Sequence, residues 1–286
     1  MQRIGILSNH KREDSRTEGK RVAAWLKREG AEVFQPGEPY DVTDQNFLQD
    51  YLSEISGKCD MLLVLGGDGT LLSVARQAAY HELPILGINM GRVGFLAELE
   101  PGASLYTYLT RLLKGDYYLE ERMMLQVDLV RDGKIVKTGH CLNDGVVLRQ
   151  NFSGLVKTMV FIDNKLSASY HSDGIVVATP TGASAYSLSA NGPLVSPEMQ
   201  AIVITPICAQ SLYSRPIVVG AERKISIQVA DIDGGCYLSI DGKTDTVPLC
   251  PGDTVNYRCS SMHTLFIRLN GKTFFDVLNE KLRDRR

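Results

Sequence analysis

The sequence predicts an α/β N-terminal domain with a parallel sheet, followed by an all-β C-terminal sandwich domain. Strands and helices alternate along the first part of the chain, and its strands are continuous apolar runs, typical of strands buried on both faces of a parallel sheet. From about Leu119 short alternating strands, separated by turn residues, replace the helices. We therefore predict domains at residues 1–118 and 119–272, with a helix in 273–286 packing back on the first domain.

The predicted elements of the first domain follow a strand–helix–strand order. Apolar positions at helical spacing end at Gly30, a residue typical of a helix C-terminus. Right-handed crossovers would then place any ligand at the carboxyl ends of the strands. The predicted elements are a strand over Arg3–Ser8, a helix over Ser15–Gly30, a strand from Ala31, a strand over Met61–Leu65, a helix after it, and a strand over Pro84–Asn89.

In the second domain, alternation of apolar and polar residues predicts strands, and Asp132-Gly133 predicts a hairpin turn between two of them. Helix formers return only at the C-terminus, where Phe274–Leu282 carries an apolar stripe. The predicted strands are Leu125–Val130, the return strand from Ile135, Val156–Ile162, Ile175–Ala178, Ala201–Thr205, Lys224–Val229, Cys236–Ile240 and Thr254–Tyr257.

Composition excludes several classes of protein. The 286 residues are 44% hydrophobic and 22% charged with a net charge of −2, and no basic stripe favours nucleic acid or an anionic membrane. The six cysteines form no C-x-x-C pair, which argues against a zinc ribbon or a disulfide framework and favours reduced thiols. No targeting peptide and no run of about 18 apolar residues is visible, so we expect a cytoplasmic protein.

The turn Gly66–Gly69 joins a buried strand to a helix. Its glycines permit positive φ and close approach of N–H groups to a phosphate, and Thr70 is predicted to cap the helix. Asp68 places a carboxylate in a turn suited to anions, where repulsion from a phosphate should disfavour it unless it has a task. Accepting a proton from an attacking hydroxyl is such a task. No Lys-Ser/Thr pair follows, so a P-loop ATPase is disfavoured. The alternative is a sharp turn with Asp68 as a helix cap.

Two further stretches carry chemistry in the second domain. Residues His171 to Pro193 lead a strand into a Pro-Thr-Gly turn rich in hydroxyl groups, where a flat ligand could approach the backbone beside Tyr186. Such a turn is more often only a turn. The pair Asn143-Asp144 at a strand start could bind an adenine edge or a ribose diol, or it could form an Asx turn.

Together these stretches resemble the NAD kinase family over nearly the whole chain. The first turn alone is not specific, since diacylglycerol and sphingosine kinases and phosphofructokinases have similar glycine–aspartate turns. The ordered set is specific. It consists of Gly66–Gly69, Asn89-Met90-Gly91 through Gly94-Phe95-Leu96, Asn143-Asp144, Thr179–Pro193, Arg215–Val219 and Asp241-Gly242.

The resemblance implies a nucleotide-binding α/β domain and a NAD-binding β-sandwich, with the dinucleotide held between them and across a subunit contact in a homodimer or homotetramer. The implied reaction transfers the γ-phosphoryl group of ATP to the 2′-hydroxyl of the adenosine ribose of NAD, giving NADP. Mg²⁺ or another divalent cation would arrive with ATP, since no set of protein ligands suggests a dedicated metal cage. ATP and NAD are the implied partners, without nucleic acid or membrane.

By the same resemblance Asp68 matches the general base. The sequence departs from the family's pattern at several sites: Asp144 stands where many members have Glu, and His171 and Lys243 stand where others often have Arg and Gln. Asn191 replaces a glycine, which is tolerable if the residue is left-handed. The residues matching dinucleotide contacts are Gly69, Asn143, Asp144, His171, Asp173, Ser184, Ala185, Tyr186, Ser187, Leu188, Ser189 and Lys243.

Two other functions are compatible with parts of the pattern. A lipid or sugar kinase that shares only the first turn should lack Asn143-Asp144 and Thr179–Pro193, and a lipid kinase should show a basic or apolar membrane-facing patch. A non-catalytic dinucleotide sensor would keep the binding residues without needing Asp68 as a base. The sequence leaves open whether NADH is accepted, whether polyphosphate replaces ATP and whether NADP or NADPH inhibits.

Overall fold

The computed structural model describes residues 2–91, 94–151, 154–211, 213–232, 234–242 and 246–283. The chain divides into two compact units. The first comprises Met1–Glu121 with His263–Arg286, and the second comprises Arg122–Met262.

The first unit begins with four strands and four helices in alternation. The strands pair in the order β2-β1-β3-β4 and all are parallel, as predicted. Their carboxyl ends therefore lie along one edge of the sheet. The elements are β1 (Arg3–Ser8), α1 (Glu13–Arg28), β2 (Glu32–Phe34), α2 (Gln45–Ile55), β3 (Met61–Gly66), α3 (Asp68–Ala79), β4 (Ile85–Asn89) and α4 (Leu105–Leu113).

Helices α2 and α4 were not predicted from the sequence. Helix α2 begins after Asp44, whose side chain accepts hydrogen bonds from the N–H groups of Asn46 and Phe47, a standard N-cap. Helix α4 follows Ser104 without such a cap. Both helices bury leucines at helical spacing, and Leu105, Leu109 and Leu112 of α4 belong to the core of the first unit.

The remainder of the chain is mostly β-structure. The second unit contains β6 to β15 and α5, while β5 and β16 each run across a unit boundary and α6 belongs to the first unit. The elements are β5 (Tyr118–Arg131), β6 (Lys134–Cys141), β7 (Asp144–Arg149), β8 (Val156–Ile162), β9 (Lys165–Ser172), β10 (Gly174–Ala178), α5 (Tyr186–Ser189), β11 (Ala201–Ile207), β12 (Ile217–Gly220), β13 (Ile225–Ile232), β14 (Cys236–Ile240), β15 (Val247–Leu249), β16 (Thr254–Arg268) and α6 (Phe274–Arg283).

The second unit is a sandwich of two sheets, which confirms the predicted fold class. One sheet has the antiparallel order β12-β11-β10-β7-β14-β15. The other places β13 between β16 and β8, with β9 beyond β8 and the β5–β6 hairpin paired to β16. Side chains from both sheets, such as Val147 and Ile227, form one apolar core.

One predicted detail of the second unit is confirmed, and several others differ in the structure. The hairpin turn is confirmed, with positive φ at Asp132 (51°) and Gly133 (74°). Strand β9 was not predicted, and β16 continues to Arg268 instead of ending near Tyr257. The hydroxyl-rich turn contains a short 3₁₀ turn over Gly182–Ser184 and then α5, so the expectation that helix formers return only at the C-terminus is wrong.

The C-terminal helix α6 (Phe274–Arg283) confirms the helix predicted from residue 274. Its Phe274 ring lies 5.9 Å from the Phe95 ring, centroid to centroid, within the first unit. None of the helices that the structure describes is both long enough and apolar enough to cross a bilayer.

Candidate functional site

The turn after β3 differs in detail from the prediction. Helix α3 begins at Asp68 with Gly67 as its N-cap, so Thr70 lies inside the first turn and does not cap the helix. None of Gly66, Gly67 and Gly69 has a positive φ. Gly66 is required for a different reason: a Cβ there would lie 2.6 Å from the Thr70 Cβ, so this position allows the strand and helix to approach closely.

The Asp68 carboxylate is fixed by main-chain donors of a neighbouring loop. Its Oδ2 accepts a hydrogen bond from the Phe95 N–H at 2.8 Å, and its Oδ1 accepts one from the Leu96 N–H at 3.2 Å. A Cβ at Gly94 would lie 2.0 Å from Oδ1, so only glycine leaves room for the side chain. Because both bonds come from this loop, Asp68 is not the helix cap of the alternative interpretation.

Open space surrounds the turn on its other side. Among the described residues, a Cβ added at Gly67 or Gly69 would meet no heavy atom within 4 Å. The N–H groups of Thr70 and Leu71 donate to the Gly67 carbonyl at 2.9 and 3.1 Å. The N–H groups of Asp68 and Gly69, at the first two helical positions, have no acceptor one turn earlier within the helix. A helix N-terminus with free N–H groups and no side chains in the way suits the approach of a phosphate.

Asn143 and Asp144 belong to a tightly bonded cluster in the second unit. The Asp241 carboxylate accepts hydrogen bonds from three consecutive N–H groups, those of Leu142 (2.9 Å), Asn143 (2.8 Å) and Asp144 (3.2 Å). The Asp241 N–H donates to the Asp144 carbonyl at 2.9 Å. The start of β7 is therefore held by a side chain almost 100 residues further along the chain.

The Pro-Thr-Gly turn packs against the same strand start. Thr179 donates its N–H to the Asn143 carbonyl at 2.8 Å and its hydroxyl to the Leu142 carbonyl at 2.5 Å. A Cβ at Gly182 would lie 2.1 Å from the Asn143 carbonyl oxygen, so the two backbones approach as closely as glycine permits. The structure thus joins the Asn143-Asp144 pair and the Thr179 turn, which are separate in sequence.

Asp144 is a buried carboxyl group beside a second carboxylate. Its side chain is 4% exposed. Burial, which disfavours the charged form, and to a smaller extent repulsion from Asp241 raise the pKa of Asp144 to about 7. A carboxyl group with this pKa changes its protonation near neutral pH, which is uncommon and typical of functional sites.

Tyr186 is within electrostatic range of both Asp173 and Asp144, which lie at opposite ends of the β7–β10 pairing. Asp173 forms an ion pair with Arg149 at 2.9 Å. Burial raises the pKa of Tyr186, and the charges of Asp173 and Asp144 add to this effect. His171 is exposed on β9. Its carbonyl accepts the Gln210 N–H at 2.9 Å.

Two hydroxyl groups of the run Ser184 to Ser189 form hydrogen bonds with residues of the same unit. The Ser184 hydroxyl donates to the Thr181 carbonyl at 3.0 Å, and the fully buried Ser187 hydroxyl is paired with Thr205 at 2.8 Å. Asn191 has φ 64°, so the substitution for glycine is accommodated in the left-handed region as predicted. Lys243 lies outside the described residues.

The first unit also has an open cavity of about 720 Å³. Among the described residues, its lining, which includes Glu13, Glu18, Arg21 and Met90, contains none of the predicted site residues. Across the residues that the structure describes, no group of three or more His, Cys, Asp or Glu side chains is arranged to hold a metal ion.

Sequence reasoning missed three contributors to these clusters. Asp241 was recognised only as part of the ordered set, Gly94 only as part of a glycine-containing stretch, and Arg122 not at all. Arg122 is 5% exposed and donates to the Thr181 hydroxyl at 3.2 Å. The Asp-Gly pair at 241 is a turn signal that favours special backbone geometry, whereas a lone arginine gives no signal.

Comparison with known proteins decides the family. The family model of the ATP-NAD kinase N-terminal domain matches residues 4–117, and that of the ATP-NAD kinase C-terminal domain matches residues 142–269. The chain is 37% identical over 284 residues to the NAD kinase of Desulforamulus reducens, covering 99% of this chain and 98% of that protein. The chain belongs to the NAD kinase family.

Another relative agrees with this membership, and two solved structures share the fold. The NAD kinase of Symbiobacterium thermophilum is 45% identical over 226 residues, which is 79% of each chain. The fold resembles yeast NADH kinase complexed with NADH (TM-score 0.79, 24% identity, 98% of this chain and 86% of that one). It also resembles an NAD kinase from Archaeoglobus fulgidus in complex with ATP (TM-score 0.75, 24% identity, 98% of both chains). Since the family match extends through both units, a kinase sharing only the first turn is disfavoured.

Proposed function

We propose that this member of the NAD kinase family transfers the γ-phosphoryl group of ATP to the 2′-hydroxyl of the adenosine ribose of NAD, a phosphotransfer to an alcohol acceptor that gives NADP. The observation that carries the proposal is the Asp68 carboxylate. It stands at the N-terminus of α3 beside an open glycine turn, and the Phe95 and Leu96 N–H groups fix its direction. A fixed carboxylate beside phosphate-binding amides is what this reaction needs.

In the proposed reaction Asp68 accepts the proton of the ribose 2′-hydroxyl as that oxygen bonds to the γ-phosphorus. The bond between the γ-phosphorus and its bridging oxygen breaks, and ADP leaves with the electron pair. Phosphoryl transfer has a loose transition state, so alignment and charge stabilisation supply most of the catalysis. The Phe95 and Leu96 amides hold the carboxylate in one orientation, so little reorganisation is needed.

We further propose that the second unit binds the dinucleotide. The Asn143-Asp144 pair holds the adenosine portion. The clustering of this pair with the Thr179 turn, and the proximity of Asp144 to Tyr186, support one continuous binding surface. Its proposed members are Asn143, Asp144, His171, Asp173, Ser184, Ala185, Tyr186, Ser187, Leu188, Ser189 and Lys243, with Gly69 as the contact beside the base in the first unit.

In this proposal the phosphate donor and the oligomeric state are those that the family resemblance implies. The donor is ATP with Mg²⁺ or another divalent cation, and the cation comes with the nucleotide. The working form is a homodimer or homotetramer, and the predicted domains at residues 1–118 and 119–272 bind nucleotide and NAD.

The proposal is tested by incubating purified protein with NAD, ATP and Mg²⁺ and measuring NADP formation. We expect turnover that requires all three components. Binding of NAD without any NADP formation, with ATP or with polyphosphate as donor, would instead identify a dinucleotide sensor.

The affinity for NAD should depend on pH through Asp144. A ribose diol donates hydrogen bonds to an ionised carboxylate, so ligand binding favours the deprotonated form. With the pKa of Asp144 near 7 in the free protein, we expect NAD to bind about tenfold more tightly at pH 8 than at pH 6. Titration calorimetry at several pH values measures this dependence, and equal affinities at both pH values would contradict it.

The Asp144→Asn variant is the matched control, because it removes the titrating group and keeps the size. NAD affinity in this variant should be weaker and independent of pH.

The pH dependence of stability gives a second readout of the Asp144 carboxyl group. Because the pKa of Asp144 is raised in the folded chain, its contribution to the free energy of unfolding falls as the pH rises from about 4 to about 7. The variant should lack that decline.

A further inference from the structure

The C-terminal helix α6 places a cation next to the Asp68 carboxylate. The Lys281 Nζ lies 3.7 Å from the Asp68 Oδ2 and 3.8 Å from the centroid of the Phe95 ring. The lysine side chain is 26% exposed and the aspartate 36%, so the pair is partly shielded from solvent. Phe95 therefore contacts both groups, since its N–H also donates to Oδ2 at 2.8 Å.

Two contacts tie α6 to the Phe95 loop. Phe274 and Lys281 are seven residues apart, which is two helical turns, so both side chains project from one face of the helix. Phe274 packs against the Phe95 ring, and Lys281 stands over that ring as a cation–π contact. The helix thus carries the ammonium group to a defined position.

From this position we propose that Lys281 is a further catalytic residue, whose ammonium group contacts the γ-phosphoryl group during transfer. The inference rests on the proposed function. A hydroxyl bonded to Asp68 lies about 3 Å from the carboxylate, and the phosphorus lies about 3–3.5 Å further. The γ-phosphoryl group is then within about 6.5 Å of Oδ2. The ammonium group, 3.7 Å from Oδ2, occupies the same small region.

The role of Lys281 is electrostatic, and its proton is not exchanged. As the new bond to the 2′-oxygen forms and the bond to ADP breaks, negative charge spreads over the γ-phosphoryl oxygens. An ammonium group is a compact charge that binds phosphate well. Asp68 takes the proton of the hydroxyl, and Lys281 stays protonated throughout.

The test compares Lys281→Gln with Lys281→Arg and with Lys272→Gln. Lys272 precedes the same helix and pairs with Glu280 at 2.9 Å, so its substitution perturbs α6 without touching Asp68. We measure binding of Mg²⁺-β,γ-imido-ATP and of Mg²⁺-ADP, along with kcat and the KM for NAD. In Lys281→Gln the imido analogue should bind about tenfold more weakly, with ADP unchanged within twofold, since only a γ-phosphate contact is lost.

In the same variant kcat should fall about tenfold or more with the KM for NAD nearly unchanged, since the contact strengthens in the transition state. Lys281→Arg should recover part of the loss, and Lys272→Gln should behave like the parent. Unchanged kcat and binding, an increase in kcat, or equal weakening of both nucleotides would overturn the assignment. The ratio of β,γ-imido-ATP binding to ADP binding is measured without NAD, so it tests Lys281 independently of turnover. A parent protein that makes no NADP would refute the proposed function and leave this binding test valid.

Discussion

Replacing Asp68 with asparagine should lower kcat for NAD phosphorylation by about 10²- to 10⁴-fold, the usual worth of a general base. Asparagine keeps the size of the side chain but accepts no proton at neutral pH. It can still accept one of the two N–H donors, from Phe95 or Leu96, so the turn should keep its fold. NAD binding should persist. Steady-state kinetics and calorimetry on the same preparation measure both quantities.

Asp50→Asn is the control for this substitution. Asp50 is an exposed residue of α2 in the same unit, so the change removes one carboxylate without altering the turn. We expect its kcat to match the parent. If Asp68→Asn retained kcat within tenfold of the parent, Asp68 would not be the base, and the proposed mechanism would fail while family membership remained.

Gly94→Ala should lower kcat by about 10²-fold with little change in the thermal midpoint, because misplacing a reacting group by about 1 Å can cost that much. The new Cβ would lie 2.0 Å from the Asp68 Oδ1 and 2.7 Å from its Cγ. The side chain of Asp68 can swing away cheaply, so the fold survives. The carboxylate then loses its bonds to Phe95 and Leu96 and points elsewhere.

A double mutant separates this effect from general damage. If Gly94→Ala acts only by displacing Asp68, adding it to Asp68→Asn should cause almost no further loss of kcat. Additive losses would show that Gly94 acts through another group. Gly57→Ala serves as control, since a Cβ there meets nothing within 4 Å among the described residues and should leave kcat unchanged.

Much of the fold could be predicted from the chain because local patterns of apolar and polar residues indicate the individual strands and helices. The apolar run at Met61–Leu65 and the alternation in β13 report which faces are buried, and both elements formed as expected. Helix α2 was missed although Asp44 is a good capping residue. Strand β16 was predicted only in part, since its later residues are fixed by pairing with distant strands, as in the contact of Phe266 with Ile85.

The candidate site was predicted less completely. Asp68 and the Asn143-Asp144 pair were identified from residue types and order, but their partners were not. Local signals for the glycine turn suggested positive φ and a threonine cap, and the structure shows neither. The turn instead depends on the close approach of the Thr70 side chain to the Gly66 backbone, which leaves no room for a Cβ at position 66.

The sequence by itself determined the fold class, the resemblance to the NAD kinase family and the identity of the proposed base, because periodicity, glycine turns and motif order are local properties of a chain. Only the tertiary structure decided what holds each carboxylate. Asp68 is oriented by N–H groups 27 and 28 residues away, and Asp144 lies beside Asp241, almost 100 residues away. The physical reason is that the direction and the pKa of a carboxyl group depend on the donors, charges and burial around it, and folding brings these from remote parts of the chain.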